Sequence, residues 1–184
     1  GLGDVYKRQP FEWHGELFSH ANDVGITLFS APFDPSAVAL LEGLHVPAYK
    51  IASLEIVDIP LIRRIAQTGK PMIISTGAAN LEDIERAIEA AKDEGNQDII
   101  LLHCVSGYPT PMEDVNLHTM TDLKRRFGTQ VGLSDHSLGL AAPIAATALG
   151  AAVIEKHVIL DRADGGPDAA FSLEPEELAT LVRE

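Results

Sequence analysis

Five short stretches concentrate the side chains that could do chemistry: YKIASLE (49–55), HCVSGYPTP (103–111), SDHS (134–137), EKH (155–157) and GGPD (165–168). Along an extended strand alternate residues share a face, so Ser134 goes with His136, and Glu155 with His157. On two neighbouring strands with those faces turned inward, the imidazoles of His136 and His157 would stand side by side. Two imidazoles, with the remaining positions filled by oxygen, suit a borderline divalent ion such as Mn2+, Fe2+ or Zn2+. Asp135, Glu155 and Asp168 offer carboxylates that could orient the rings from behind. Alternatively, the two are hydrogen-bonded core histidines.

Lys50 ends a strand-like run, and a lysine on an inner strand is costly unless it meets an anion. A phosphate or carboxylate of a substrate would serve. So would a Schiff-base role, or an ion pair with a glutamate that holds the strand end. Ser53 and Glu55 fall on the opposite parity from Lys50, so a bend or bulge must follow the strand for all three to share a site. Ser106 and Tyr108 are hydrogen-bond donors on a loop stiffened by prolines, and Ser75, Thr76 and Gly77 form a weaker polar turn. Cys104 reads as a small core residue. His14, His20, His45 and His118 fall on helices or turns and are expected to be solvated.

The elements that must position these groups alternate regularly. Strand-like runs occupy 26–31, 48–53, 71–76, 98–104, 130–134 and 152–157. Each is apolar on both parities, as buried parallel strands are. Helical patterns lie between them at 34–44, 58–69, 80–95, 114–128 and 138–150, with a last one at 174–184. Asp34 before Pro35, and Asn80 with Asp83, are helix starts; Gly69 and Gly95 are stops. The 138–150 run is apolar nearly all round, and Pro143 either kinks it or marks a late start. Strands alternating with helices predict an α/β fold with a parallel sheet. No Gly-x-Gly-x-x-Gly follows the first strand, and polar residues gather at the C-terminal end of almost every strand. Both features favour a (β/α)8 TIM barrel, truncated to about six βα units, over an open doubly wound sheet.

The 184 residues suit one domain. A net charge of −13 argues against nucleic acid or an anionic membrane as partner. The single cysteine excludes an intrachain disulfide and points to a reducing cytoplasm. No apolar run approaches a membrane span. GLGDVYKRQ, residues 1–9, resembles translated sequencing-adaptor DNA, so the native sequence is expected to begin near Pro10.

In order, KIAS-x-E, I-I-S-T-G, L-L-H-C-V-S-x-Y-P-T-P, G-L-S-D-H-S, A-L-G-A and I-E-K-H-x-x-L-D-R with the following G-P-D resemble the sialic acid synthase family over roughly residues 26–183. GGPDAAFS (165–172) is closer to the pseudaminic acid branch than to the neuraminate branch. The resemblance implies condensation of phosphoenolpyruvate with an open-chain acetamido sugar, releasing phosphate. For this branch the sugar is 2,4-diacetamido-2,4,6-trideoxy-altrose; a mannosamine-type sugar, leading to N-acetylneuraminate or legionaminate, is the alternative. It further implies a divalent metal, with Mn2+ expected, on His136 and His157. Lys50, Ser53, Ser106, Tyr108 and Ser134 would surround phosphoenolpyruvate, with Phe33 also on the substrate side. Glu55 and Glu155 would give polar support or handle protons, and Asp168 would face the sugar or a metal-bound water. Ala31 departs from the family pattern, which carries a hydroxyl there, and Ser106 stands where neuraminate enzymes have Asn. The match begins at the third barrel strand and ends near the last helix. By this resemblance two strands and a C-terminal antifreeze-like domain are expected to lie outside residues 10–184. The full-length enzyme is expected to be a homodimer, and this piece alone inactive and aggregation-prone through its open edges. A metal hydrolase built on the same two histidines would need a stronger His/Asp ligand set.

Overall fold

The computed structural model describes residues 10–184, and the expectation for residues 1–9 lies outside them. Five parallel strands form one sheet in chain order: β1 Tyr49–Ile51, β2 Met72–Ser75, β3 Ile99–Cys104, β4 Gln130–Asp135 and β5 Ile154–Lys156. Helices α1 His14–Val24 and α2 Pro35–Gly43 precede the sheet. The crossovers carry α3 Ile59–Ala66, α4 Leu81–Asp93, α5 His118–Phe127 and α6 Ala141–Ala148, and α7 Pro175–Arg183 follows β5.

The helices start where local chemistry can satisfy their first amides. The Asp34 carboxylate accepts from the amides of Ser36 and Ala37, with Pro35 in the first turn of α2. Asn80 and Asp83 form a reciprocal capping box on α4. The run predicted at 138–150 becomes helical only at Ala141, which leaves Pro143 in the first turn, where a missing N–H costs nothing. Along α4, Ile84, Ala87, Ile88 and Ala91 are buried at helical spacing.

Parallel pairing in register puts residues of equal height on the same side of the sheet. One side carries Tyr49, Ile51, Met72, Ile74, Leu101 and Leu133, which pack with Leu61, Ile62 and Ile65 of α3 and the buried face of α4. Each such side chain contributes about 1.5–3 kcal/mol on burial, so this outer layer holds the fold together. The other side carries Lys50, Ser75, Cys104, Ser134 and Glu155 near its C-terminal end.

The strand predicted at 26–31 is reduced to one bridge, Ser30 beside Tyr49, with the Lys50 amide donating to the Ser30 carbonyl at 3.2 Å. Ile26 and Phe29 stay exposed, so nothing buries a regular strand there. The architecture is a truncated (β/α) barrel, five strands of it laddered. Among the described residues no helix is long and apolar enough to cross a membrane.

Candidate active site

The site lies at the C-terminal mouth of the curled sheet. Lys50 Nζ donates to Ser75 Oγ at 2.8 Å and to the Ile51 carbonyl at 3.1 Å, and it pairs with Glu155 at 3.5 Å. Ser134 Oγ donates to Glu155 Oε1 at 2.6 Å across the β4–β5 ladder. A part-buried ammonium, two hydroxyls and a carboxylate therefore line one inner face, drawn from four strands.

Beyond the last ladder pair, His136 and His157 face each other with ring centroids 5.2 Å apart. Nδ1 of His136 lies 3.2 Å from the Val105 carbonyl and 3.9 Å from Cys104 Sγ. Nδ1 of His157 lies 3.5 Å from the Asp168 carboxylate. The Tyr108 ring covers His136 at 4.3 Å, and Phe171 sits against Tyr108, His136 and His157 at 5.6, 5.8 and 5.1 Å. The loop that brings Asp168 and Phe171 here turns through Gly165 and Gly166, whose φ values of 73° and 120° favour glycine. Arg162 staples its base: Nε donates to the Ser172 carbonyl at 3.0 Å, and the guanidinium pairs with Glu174 and Glu177 on the α7 side.

Burial holds His136 below the ordinary histidine value, and His157 pushes the same way, against the opposing pull of the Val105 carbonyl, Asp135 and Glu155. His136 is thus a neutral imidazole near neutral pH, the form that ligates metal. In Tyr108 burial raises the phenol pKa, with Cys104, Asp168 and Glu155 adding to it, so the hydroxyl remains a proton-bearing donor. Two adjacent imidazoles, one backed by a carboxylate and the other by a carbonyl, fit the donor chemistry of a divalent ion. Among the described residues no group of three or more His, Cys, Asp or Glu side chains forms a cage, so protein would supply two ligands there.

The chain bends after Ile51, and this brings Ser53 to the mouth: its Oγ accepts from the Gly77 amide at 3.1 Å and lies 3.6 Å from Cys104 Sγ. Ser106 stands over the same glycine, its Oγ 2.8 Å from where a Cβ on Gly77 would be. Glu55 sits further along, half-buried at the start of the 3-10 turn Glu55–Val57. Phe33 is 53% exposed and takes no part in the ring contacts around the histidines. Asp135, expected behind a histidine, points to the opposite side of the sheet and pairs with Lys156, because it alternates with His136 along β4. Phe171 went unnoticed in the sequence, since a loop has no periodicity to mark an inward side chain. Cys104 is buried, as a small core residue should be, with its thiol on the inner side beside His136.

The NeuB family model matches residues 5–184. The pseudaminic acid synthase of Helicobacter pylori is 49% identical over 183 residues, covering 98% of this chain and 54% of that protein. The N,N'-diacetyllegionaminic acid synthase of Campylobacter jejuni is 46% identical over 170 residues, covering 91% of this chain and 51% of that protein. The N-acetylneuraminic acid (sialic acid) synthetase of Leptospira borgpetersenii, solved in complex with citrate, superposes with a TM-score of 0.91 at 38% identity. That match spans 96% of this chain and 61% of the other. The chain spans about half the length of the curated relatives it matches.

Proposed function

The chain belongs to the NeuB family, and from that premise we propose that it forms the larger part of the barrel of a nonulosonate synthase. The reaction joins the methylene carbon of phosphoenolpyruvate to the aldehyde carbon of 2,4-diacetamido-2,4,6-trideoxy-altrose. One water is consumed, inorganic phosphate leaves, and the product is pseudaminic acid. The observation that carries this proposal is the convergence at one mouth of Lys50, Glu155 and the His136–His157 pair.

Lys50 binds an anionic group of phosphoenolpyruvate, relaxing its contact with Glu155 as it does so. Ser53, Ser106 and Tyr108 orient that substrate with hydroxyl donors. Glu155, held by Ser134, takes up or returns a proton beside the new bond, and Glu55 supports the mouth from the turn below. Asp168 steadies the His157 ring and borders the sugar, and Phe33 lies on the outer substrate side. His136 and His157 would hold a divalent ion, Mn2+ by preference. Such an ion supplies Lewis-acid polarisation of the aldehyde.

The legionaminic acid relative at 46% identity supports a mannosamine-type sugar as the second reading. Incubation with phosphoenolpyruvate, Mn2+ and either sugar distinguishes the two by phosphate release and product mass. If the 184-residue chain is inactive alone, phosphoenolpyruvate still binds, Lys50-dependently and without turnover. Absence of both binding and turnover would overturn the proposal.

A further inference from the structure

The main-chain ladder between β4 and β5 ends at Asp135 opposite Lys156. His136 and His157 are the next residues on each chain segment, one step past the last paired positions. At that last rung stands an ion pair: Lys156 Nζ to Asp135 Oδ2 at 2.6 Å, with side chains only 3% and 2% exposed. It lies on the face opposite Ser134 and Glu155, beneath the helices. The pair also grips the chain just past His136, since Asp135 Oδ1 accepts from the Ser137 amide at 2.9 Å and Lys156 Nζ donates to the Ser137 carbonyl. Both neighbours of His136 and the residue before His157 are therefore tied into one buried knot. The carbonyls of the two histidines are taken by the amides of Thr110, at 3.0 Å, and Leu173, at 2.8 Å.

We propose that the Asp135–Lys156 pair is a positioning element that sets how His136 and His157 face each other and, through them, the affinity for a divalent ion. This rests on the assignment of those histidines as the metal pair. A buried ion pair is weak evidence for stability, because desolvating two charges offsets most of their attraction, and well-packed apolar residues often replace one without loss. What apolar residues cannot reproduce is the directional grip on the Ser137 amide and carbonyl.

The test uses the metal-free chain and two readouts: Mn2+ binding by loss of the free-ion EPR signal, and the d–d absorption of bound Co2+. Asp135→Asn, Lys156→Met and the double variant Asp135→Leu/Lys156→Met are compared with the parent, with folding followed by circular dichroism. The double variant is expected to fold, with a Kd for Mn2+ raised about 10- to 100-fold and an altered Co2+ spectrum. His136→Ala and His157→Ala are the reference and should abolish binding. If these two retain it, the histidine assignment itself is wrong. If they lose it while the double variant binds within about twofold of the parent, only the positioning proposal is overturned. A double variant that does not fold makes the pair a folding element and overturns the proposal as well.

Discussion

Lys50 on β1 and Glu155 on β5 lie 3.5 Å apart, although their strands are the two edges of the five-stranded sheet. Laid flat, four interstrand steps would hold their backbones about 19 Å apart. The two side chains can meet only if the sheet curls toward a barrel, so this one contact reports the global curvature. It also explains how a lysine tolerates an inner strand: Glu155 and Ser75 satisfy it there.

Lys50→Met should therefore cost ligand rather than fold. Losing a charge-assisted hydrogen bond is worth about 1.5–3 kcal/mol, which corresponds to roughly 10- to 100-fold in phosphoenolpyruvate affinity. Isothermal titration against phosphoenolpyruvate reads this directly; unchanged affinity would remove Lys50 from the site.

Gly132→Ala should damage the fold. A Cβ at Gly132 would run into the Val153 carbonyl and come within 2.7 Å of Leu102 Cδ2. That carbonyl accepts from the Leu133 amide at 3.0 Å, so relief of the clash must open the approach to β5. A loss of about 1–3 kcal/mol is expected from urea unfolding. Gly77→Ala meets the side chains of Cys104 and Ser106 rather than a backbone carbonyl at its nearest contacts, so it should lose less stability than Gly132→Ala while reshaping the mouth.

Phe171→Ala removes a ring that is 2% exposed and touches Tyr108 and both histidines. Truncation of a buried phenylalanine typically costs about 3–5 kcal/mol. Phe171→Leu should recover much of that in chemical denaturation; equal losses for the two would mean the ring contacts are not what matters.

His103 predicts acid sensitivity. It is buried on the outer side of β3, with Nε2 2.7 Å from the Val115 carbonyl, and burial lowers its pKa despite that bond. Above about pH 6.5 the folded and unfolded states are both neutral there, and the residue adds no pH dependence. Below that, the unfolded chain gains a proton that the folded state refuses, so stability falls with pH until the lowered value is reached. Urea midpoints followed from about pH 7 to pH 5 should drop, and His103→Gln should make the slope shallower.

Much of the site was legible in the sequence. The period-two rule places Ser134 with His136 and Glu155 with His157, because side-chain alternation is a property of each strand alone. Asp135 was expected behind a histidine ring, but it lies on the far side of the sheet, where Lys156 meets it. Ser53 was ambiguous, since its arrival at the mouth depends on a bend after Ile51 that parity cannot encode. The 26–31 run has strand composition but only one bridge, because a strand needs ladder partners as well as propensity.

By itself, then, the sequence determined whatever is decided within a few residues: the caps at Asp34 and Asn80, the α4 stripe, the alternation of Ser134, Asp135 and His136. Only the tertiary structure decided what crosses the sheet: the meeting of Lys50 with Glu155, Phe171 against both imidazoles, and Ser53 beside Cys104. Caps and periodicity follow from local backbone geometry. Curvature accumulates over every strand pairing, and loops are placed by their packing, so neither leaves a short-range pattern in the chain.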